Sequence, residues 1–268
     1  MEFTAKLARA WQASGTSLCV GLDPIIERMP EPCRSADRPV LAFNRLVVDL
    51  VGARVAAFKP QFAHHAAVGA EEDLAETIAY IRERAPHAFI LLDAKRGDIG
   101  STAEMYAREA FERYDADAVT VNPYMGDDTV LPFLRWPDRA AVVLCRTSNP
   151  DADRFQTADA GGEPLFLAVA RRAETVWNKQ GPTMLVVGAT APRELAAVRA
   201  AAPSLAILAP GYGEQGGSAE AVVRAGRRTD GLGLFVSASR SILYAGGPEK
   251  IRQAVEDARE ALAVDVAA

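Results

Sequence analysis

The chain has 268 residues, 49% of them hydrophobic, with 30 basic against 35 acidic side chains and a net charge of −5. That is apolar material for one large core, and the acidic balance argues against a nucleic-acid binder while leaving room for a local basic pocket that takes a small anion. The three cysteines lie far apart, Cys19 and Cys145 within apolar runs, so they read as reduced core thiols rather than a disulfide framework or a zinc site. Met1 to Leu7 lacks the apolar stretch of a signal peptide, and no run approaches the length of a membrane span. The expectation is a soluble, cytoplasmic protein with no membrane partner.

Eight short apolar runs follow in order: Leu18–Leu22, Val55–Phe58, Ala88–Leu92, Ala118–Val121, Ala140–Cys145, Met184–Val187, Leu205–Leu208 and Leu232–Val236. Their nearly continuous hydrophobicity suits strands covered on both faces of a parallel sheet. Segments of helical period lie between them. Glu71 to Arg84 carries Leu74, Ile78 and Ile81 at three- and four-residue spacing, and Thr102 to Tyr114 is similar. Pro192 opens a helix after Thr190, a candidate N-cap; Gly226 lies near a helix end; Pro248 begins the last helix. The longest stretch without a period is Arg146 to Glu163. Eight strand–helix alternations predict a (β/α)8 TIM barrel forming a single domain over residues 1–268. An open doubly wound sheet is the alternative, but Gly21-Leu22-Asp23-Pro24 stands where its Gly-x-Gly-x-x-Gly loop would be.

A barrel gathers its catalytic groups at the C-terminal ends of the strands, and the polar residues cluster there. Asp23 ends strand one, Lys59 strand two, and Asp93 with Lys95 strand three, in the segment Asp93-Ala94-Lys95-Arg96-Gly97-Asp98-Ile99-Gly100-Ser101-Thr102. Residues two apart on a strand share a face, so Asp93 and Lys95 are expected side by side. With Lys59 and Asp98 they compose an alternating set of charges, the makings of a preorganised electrostatic site; a solvated loop ion pair is the plainer reading. Ser148 follows strand five. The loops after strands seven and eight, the recurrent phosphate site of this fold, carry Gly211 to Gly217 with Gln215, and Ser239-Arg240.

At this point the chain resembles the orotidine 5′-phosphate decarboxylase family, in its bacterial-type branch with the Asp-Ala-Lys-Arg-Gly-Asp-Ile motif. The match lies in Asp93, Lys95, Asp98, Ile99 and Thr102, joined by Lys59, Gly21-Leu22-Asp23-Pro24, the Pro210-Gly211 to Gly217 loop and Arg240. The resemblance implies decarboxylation of orotidine 5′-monophosphate to uridine 5′-monophosphate in pyrimidine biosynthesis, without cofactor or metal. It implies a catalytic array of Lys59, Asp93, Lys95 and Asp98, with Lys95 as proton donor. It further implies a homodimer with shared sites, in which Asp98, Ile99 and Thr102 come from the neighbouring subunit. Asp23 matches a ribose ligand, Ser148 a pyrimidine contact, and Gln215 and Arg240 phosphate ligands, with Ser239 beside Arg240 expected among the substrate-binding residues. Asn122 has no role assigned.

Two other readings use the same features. A magnesium-dependent sugar-phosphate decarboxylase or hexulose-phosphate synthase shares the Asp-x-Lys-x-x-Asp element but carries an acidic residue where Lys59 stands. A noncatalytic nucleotide sensor needs the Arg240 loop but not the alternating charges.

Overall fold

Each of the eight apolar runs becomes a strand in the computed structural model, which describes residues 1–213 and 218–264. They are β1 (Leu18–Leu22), β2 (Ala57–Pro60), β3 (Phe89–Arg96), β4 (Ala118–Val121), β5 (Ala140–Arg146), β6 (Thr183–Val187), β7 (Ala206–Pro210) and β8 (Leu234–Ala238). Every strand pairs in parallel with its sequence neighbours, and β8 returns to β1 through Leu18↔Val236 and Cys19↔Ser237. The sheet is a closed barrel with helices around it, the TIM architecture, and it leaves no strand edge unpaired.

The two-residue period of the strands sorts their side chains into two cores. Val20, Ile90, Leu92, Val119, Val143, Leu185 and Val236 point outward, into one apolar layer beneath the helices. Cys19, Ala57, Phe89, Leu91, Val142, Met184, Leu208 and Phe235 point inward and fill the barrel. Both faces are therefore dry, which explains why the strand sequences show little polar alternation.

The N-terminal end of the barrel is closed by α1 (Phe3–Ser14), whose Phe3, Leu7 and Trp11 join the inner core rather than the outer layer. The Trp11 ring stacks on Phe235 at 4.8 Å between centroids, and Phe235 stacks on Phe89 at 5.5 Å. Trp11 Nε1 donates to the carbonyl of Leu234 at 3.0 Å, so its one polar atom is satisfied in the buried setting. The helix stops at Gly15, which takes the left-handed φ of 65° and returns its N–H to the carbonyl of Trp11.

The surrounding helices bury the faces their sequence periods predict. Leu74, Ile78 and Ile81 of Glu71–Arg84 are buried, as are Ile251 and Val255 of Pro248–Ala261. Other expectations need correction. The helix Pro192–Ala201 begins at its proline, but its N-cap is Ala191 and no side chain caps it, so Thr190 lies one residue too early to serve. The segment after Thr102 is an α-helix over Gly100–Arg108 that widens into a π-helical turn over Glu109–Arg113. The stretch from Arg146 to Glu163 holds short helical turns at Pro150–Ala152 and Asp153–Gln156. Those turns are tied by polar bonds, Gln156 to the Thr147 backbone and Arg146 to Asp153, which leave no hydrophobic period to read. Among the described residues, no helix is long and apolar enough to cross a membrane.

The aromatic stack at the barrel floor gives the first prediction. Trp11→Ala removes a fully buried ring and is expected to lower stability by about 3–5 kcal/mol. Urea denaturation checks this; a loss below about 1 kcal/mol would mean that the stack is not what closes the floor.

Candidate active site

The inward positions turn polar as the strands approach their C-terminal ends. Above Cys19 and Gly21 comes Asp23, above Ala57 come Lys59 and Gln61, above Leu91 comes Asp93, above Ala118 comes Thr120, and above Phe235 comes Ser237. These residues line a cavity of about 530 Å³ at the barrel mouth, with Leu144, Val186 and Leu208 on its apolar side. Lys59 is inside β2 and Asp93 inside β3, so the change of polarity falls within the strands rather than after them.

Asp93 is the centre of the site. Its Oδ2 accepts from Lys59 Nζ at 3.1 Å and from Gln61 Nε2 at 3.0 Å. Its Oδ1 accepts from Lys95 Nζ at 2.7 Å and from Thr120 Oγ1 at 2.9 Å. Lys59 Nζ also lies 3.7 Å from Asp23 Oδ1, an oxygen that is buried and has no hydrogen-bond partner. Burial alone would raise the Asp93 carboxyl, but the Lys59 and Lys95 ammonium groups outweigh it and hold it well below the ordinary carboxylate range. Burial likewise opposes the Lys59 charge, yet Asp93 and Asp23 keep its pKa above the usual lysine value. The neighbouring Cys19 thiol is pushed up to about 12 by burial, so it remains protonated and is no nucleophile.

Lys59 and Lys95 differ in access. The Lys59 side chain is 6% exposed and the Lys95 side chain 50%, so Lys95 is the ammonium that can approach a ligand. Lys95 does reach Asp93, though not by simple strand alternation. Its backbone is left-handed, with φ of 46°, at a register shift between Leu92 and Arg96. The next residue is pinned: the Arg96 guanidinium pairs with Glu109 at 2.7 Å and lies over the rings of Phe62 and Tyr106.

Among the other residues expected in the site, Asp23, Ser148, Ser239 and Arg240 all line the cavity. Two glycines make their placement possible. A Cβ at Gly21 would fall 1.8 Å from Ser239 Oγ, and one at Gly188 would fall 2.9 Å from Ser148 Cβ. Tyr244 joins the β1 and β8 sides of the rim, accepting from Ile25 N at 2.7 Å and donating to the Asp23 carbonyl at 3.0 Å. Asp98, Ile99 and Thr102 do not line this cavity. Asp98 N donates to Thr129 Oγ1, Ile99 is 52% exposed, and Thr102 is exposed on the first turn of its helix. Gln215 lies outside the described residues. Asn122 accepts from Tyr124 N at 3.0 Å and so caps the turn Pro123–Met125.

Gln61 and Thr120 were not anticipated. The signal for Gln61 was its inward parity with Lys59; Thr120, a lone hydroxyl in the run Ala118–Val121, resembles any β-branched strand residue.

Fold and site together define the class: a TIM barrel whose mouth carries an array of ammonium and carboxylate groups. Residues 16–255 match the orotidine 5′-phosphate decarboxylase / HUMPS family. The chain is 50% identical to the orotidine 5′-phosphate decarboxylase of Janthinobacterium sp. (strain Marseille), over 95% of its own length and 94% of the relative's. It is 49% identical to that of Dechloromonas aromatica (strain RCB), over 98% of each. The structure of Leishmania donovani OMP decarboxylase superposes with a TM-score of 0.85 at 38% identity, covering 98% of this chain and 97% of that one. The chain belongs to the orotidine 5′-phosphate decarboxylase / HUMPS family.

The charge array sets a pH dependence. The folded Asp93 value lies below the unfolded value of about 3.9, so its stabilisation is complete above that pH and is lost as pH falls below it. Asp93→Asn is expected to cost about 3–5 kcal/mol at neutral pH, the range for breaking a buried ion pair. The gap between wild type and variant should shrink at about pH 3, as native Asp93 loses its advantage. Denaturation midpoints at both pH values provide the check, and an unchanged gap would remove Asp93 as the titrating group.

Proposed function

We propose that this barrel, as one domain, decarboxylates orotidine 5′-monophosphate to uridine 5′-monophosphate, a step of pyrimidine biosynthesis in the cytoplasm. The observation that carries the reading is Asp93 between two ammonium groups, Lys59 at 3.1 Å and Lys95 at 2.7 Å, at the mouth of a barrel of this family. Breaking the bond between C6 and the carboxylate releases carbon dioxide and leaves the electron pair on C6. Lys95 stabilises that charge as it develops and delivers a proton: an N–H bond breaks, a C6–H bond forms, and solvent reprotonates the amine. Asp93, held anionic, orients Lys95 and faces the substrate carboxylate, a repulsion relieved as carbon dioxide departs. Lys59 keeps Asp93 ionised. Asp23 takes the ribose, Ser148 the pyrimidine, and Ser239, Arg240 and Gln215 the phosphate, whose binding energy is realised at the ring.

No cofactor is required by this reading, because an ammonium group does what an electron sink or metal would do elsewhere. The magnesium-dependent alternative fares poorly on the same ground: Lys59 sits between Asp23 and Asp93, where its charge opposes a divalent cation. Following orotidine monophosphate loss and uridine monophosphate formation, with and without chelator, tests the assignment. Lys95→Ala should lose at least about 100-fold in kcat, since charge and acid vanish together. Near-normal turnover by the folded variant would remove Lys95 from the role of donor.

The enzyme works as a homodimer with shared sites in this reading. Asp98, Ile99 and Thr102 do not line their own cavity, while Ile99, Met105 of the following helix, Tyr124, Met125 and Phe155 are exposed large apolar side chains. A second copy covering these side chains would carry Asp98 into its partner's array. Mixing inactive Lys95→Ala and Asp98→Ala subunits under exchange should restore activity toward one intact site per heterodimer, the other site carrying both lesions. Heterodimers that form and stay inactive would exclude sharing.

A further inference from the structure

We propose that Thr120 is a positioning residue for the proton transfer: its hydroxyl fixes the Asp93 carboxylate and, at the same time, the left-handed backbone of Lys95. The proposal rests on the reading of Lys95 as proton donor. Thr120 sits in β4, 1% exposed, with its side chain toward the cavity. Its hydroxyl donates to Asp93 Oδ1 at 2.9 Å and accepts from Lys95 N at 2.8 Å and Ala94 N at 3.0 Å. One donor and two lone pairs are the whole capacity of a hydroxyl, and all three are engaged.

The ladder explains why those amides need a side chain. β3 and β4 pair at Leu92↔Val119 and again at Arg96↔Val121, so four steps along β3 match two along β4. The residues between, Asp93 to Lys95, bulge away from the carbonyls that a regular ladder would offer, and Thr120 Oγ1 takes their place as acceptor. The bulge is where Lys95 acquires φ of 46°, one of two positive φ values outside glycine among the described residues. The two amide bonds hold the backbone in that conformation from one side, as the pinned Arg96 does from the other, and losing them loosens delivery of the ammonium to the oxygen that Thr120 also holds.

Packing does not call for a hydroxyl there. The residues lining the same cavity from β5, β6 and β7 are Leu144, Val186, Leu208 and Pro210, all apolar. A valine would fill the volume of Thr120 equally well and lose only the three bonds.

That equivalence supplies the test. Thr120→Val, Thr120→Ser and Thr120→Cys are compared with wild type for folding midpoint, kcat, KM, inhibition by uridine monophosphate, and exchange of its C6 hydrogen with deuterium oxide. Exchange is the reverse of proton delivery, so it reads Lys95 placement independently of carbon dioxide loss. Thr120→Val is expected to lose about 10- to 100-fold in kcat and in exchange, the scale of a misplaced catalytic group, while product inhibition stays within about threefold. Thr120→Ser keeps all three bonds and should stay within about threefold of wild type in kcat. If Thr120→Val does not fold, Thr120→Cys, whose sulfur is a weak acceptor, takes its place in the comparison. A valine or cysteine variant with kcat near wild type, a serine variant as impaired as valine, or losses in kcat matched by equal losses in product binding would each overturn the proposal. Failure of the underlying reading is separate, because then wild type itself would neither consume orotidine monophosphate nor exchange the product hydrogen.

Discussion

Four donors converge on one buried carboxylate, and the candidate site depends on that convergence. Asp93 would be costly to bury alone, as would Lys59; each is tolerable because the other, with Gln61, Lys95 and Thr120, satisfies it. The result is an alternation of charge, Lys59–Asp93–Lys95, fixed by the protein's own contacts. Such an arrangement needs little reorganisation when negative charge develops nearby, which is the property electrostatic catalysis requires. Asp23 extends the alternation by one carboxylate, its buried Oδ1 3.7 Å from Lys59 Nζ.

The aromatic floor and the charged rim occupy opposite ends of the barrel. At the floor, Trp11, Phe235 and Phe89 stack and α1 closes the opening, so the interior there is dry and aromatic. Around the same end, Lys6, Arg82 and Arg139 meet Asp117, whose carboxylate also accepts from Ile90 N. At the mouth the inward positions turn polar and the backbone departs from regular geometry at Lys95. The rim is held by different means, ion pairs such as Lys59–Asp93 across β2 and β3 in place of apolar packing.

The rim is assembled across large sequence distances by small contacts. Gly21 admits Ser239, Gly188 admits Ser148, and the Tyr244 hydroxyl joins the β1 and β8 sides. The first two bring Ser239 and Ser148 to one cavity, and the third ties the Asp23 backbone to the far side of the β1–β8 seam. Arg96 does similar work beside Lys95, with its charge paired and its plane against two rings.

Much of this was legible in the sequence. Eight apolar runs between helical periods determined the barrel, because a strand dry on both faces must be nearly all hydrophobic, and the charged residues that end those runs marked the rim. Asp23, Lys59, Asp93, Lys95, Ser148, Ser239 and Arg240 were recognisable from their places at strand ends and from motif spacing, and the fold brings them around one cavity. What only the tertiary structure decided were the relations across strands. No period in Ala118–Val121 announces that the Thr120 hydroxyl will answer a bulge in β3, since the two strands meet only after the register shift exists. Nor does spacing tell that Lys95 reaches Asp93 through a left-handed turn, or that Gln61 shares the carboxylate with Lys59. Local sequence determines which residues face the barrel interior; which atoms then meet is set by closure of the sheet, a global constraint that no single segment contains.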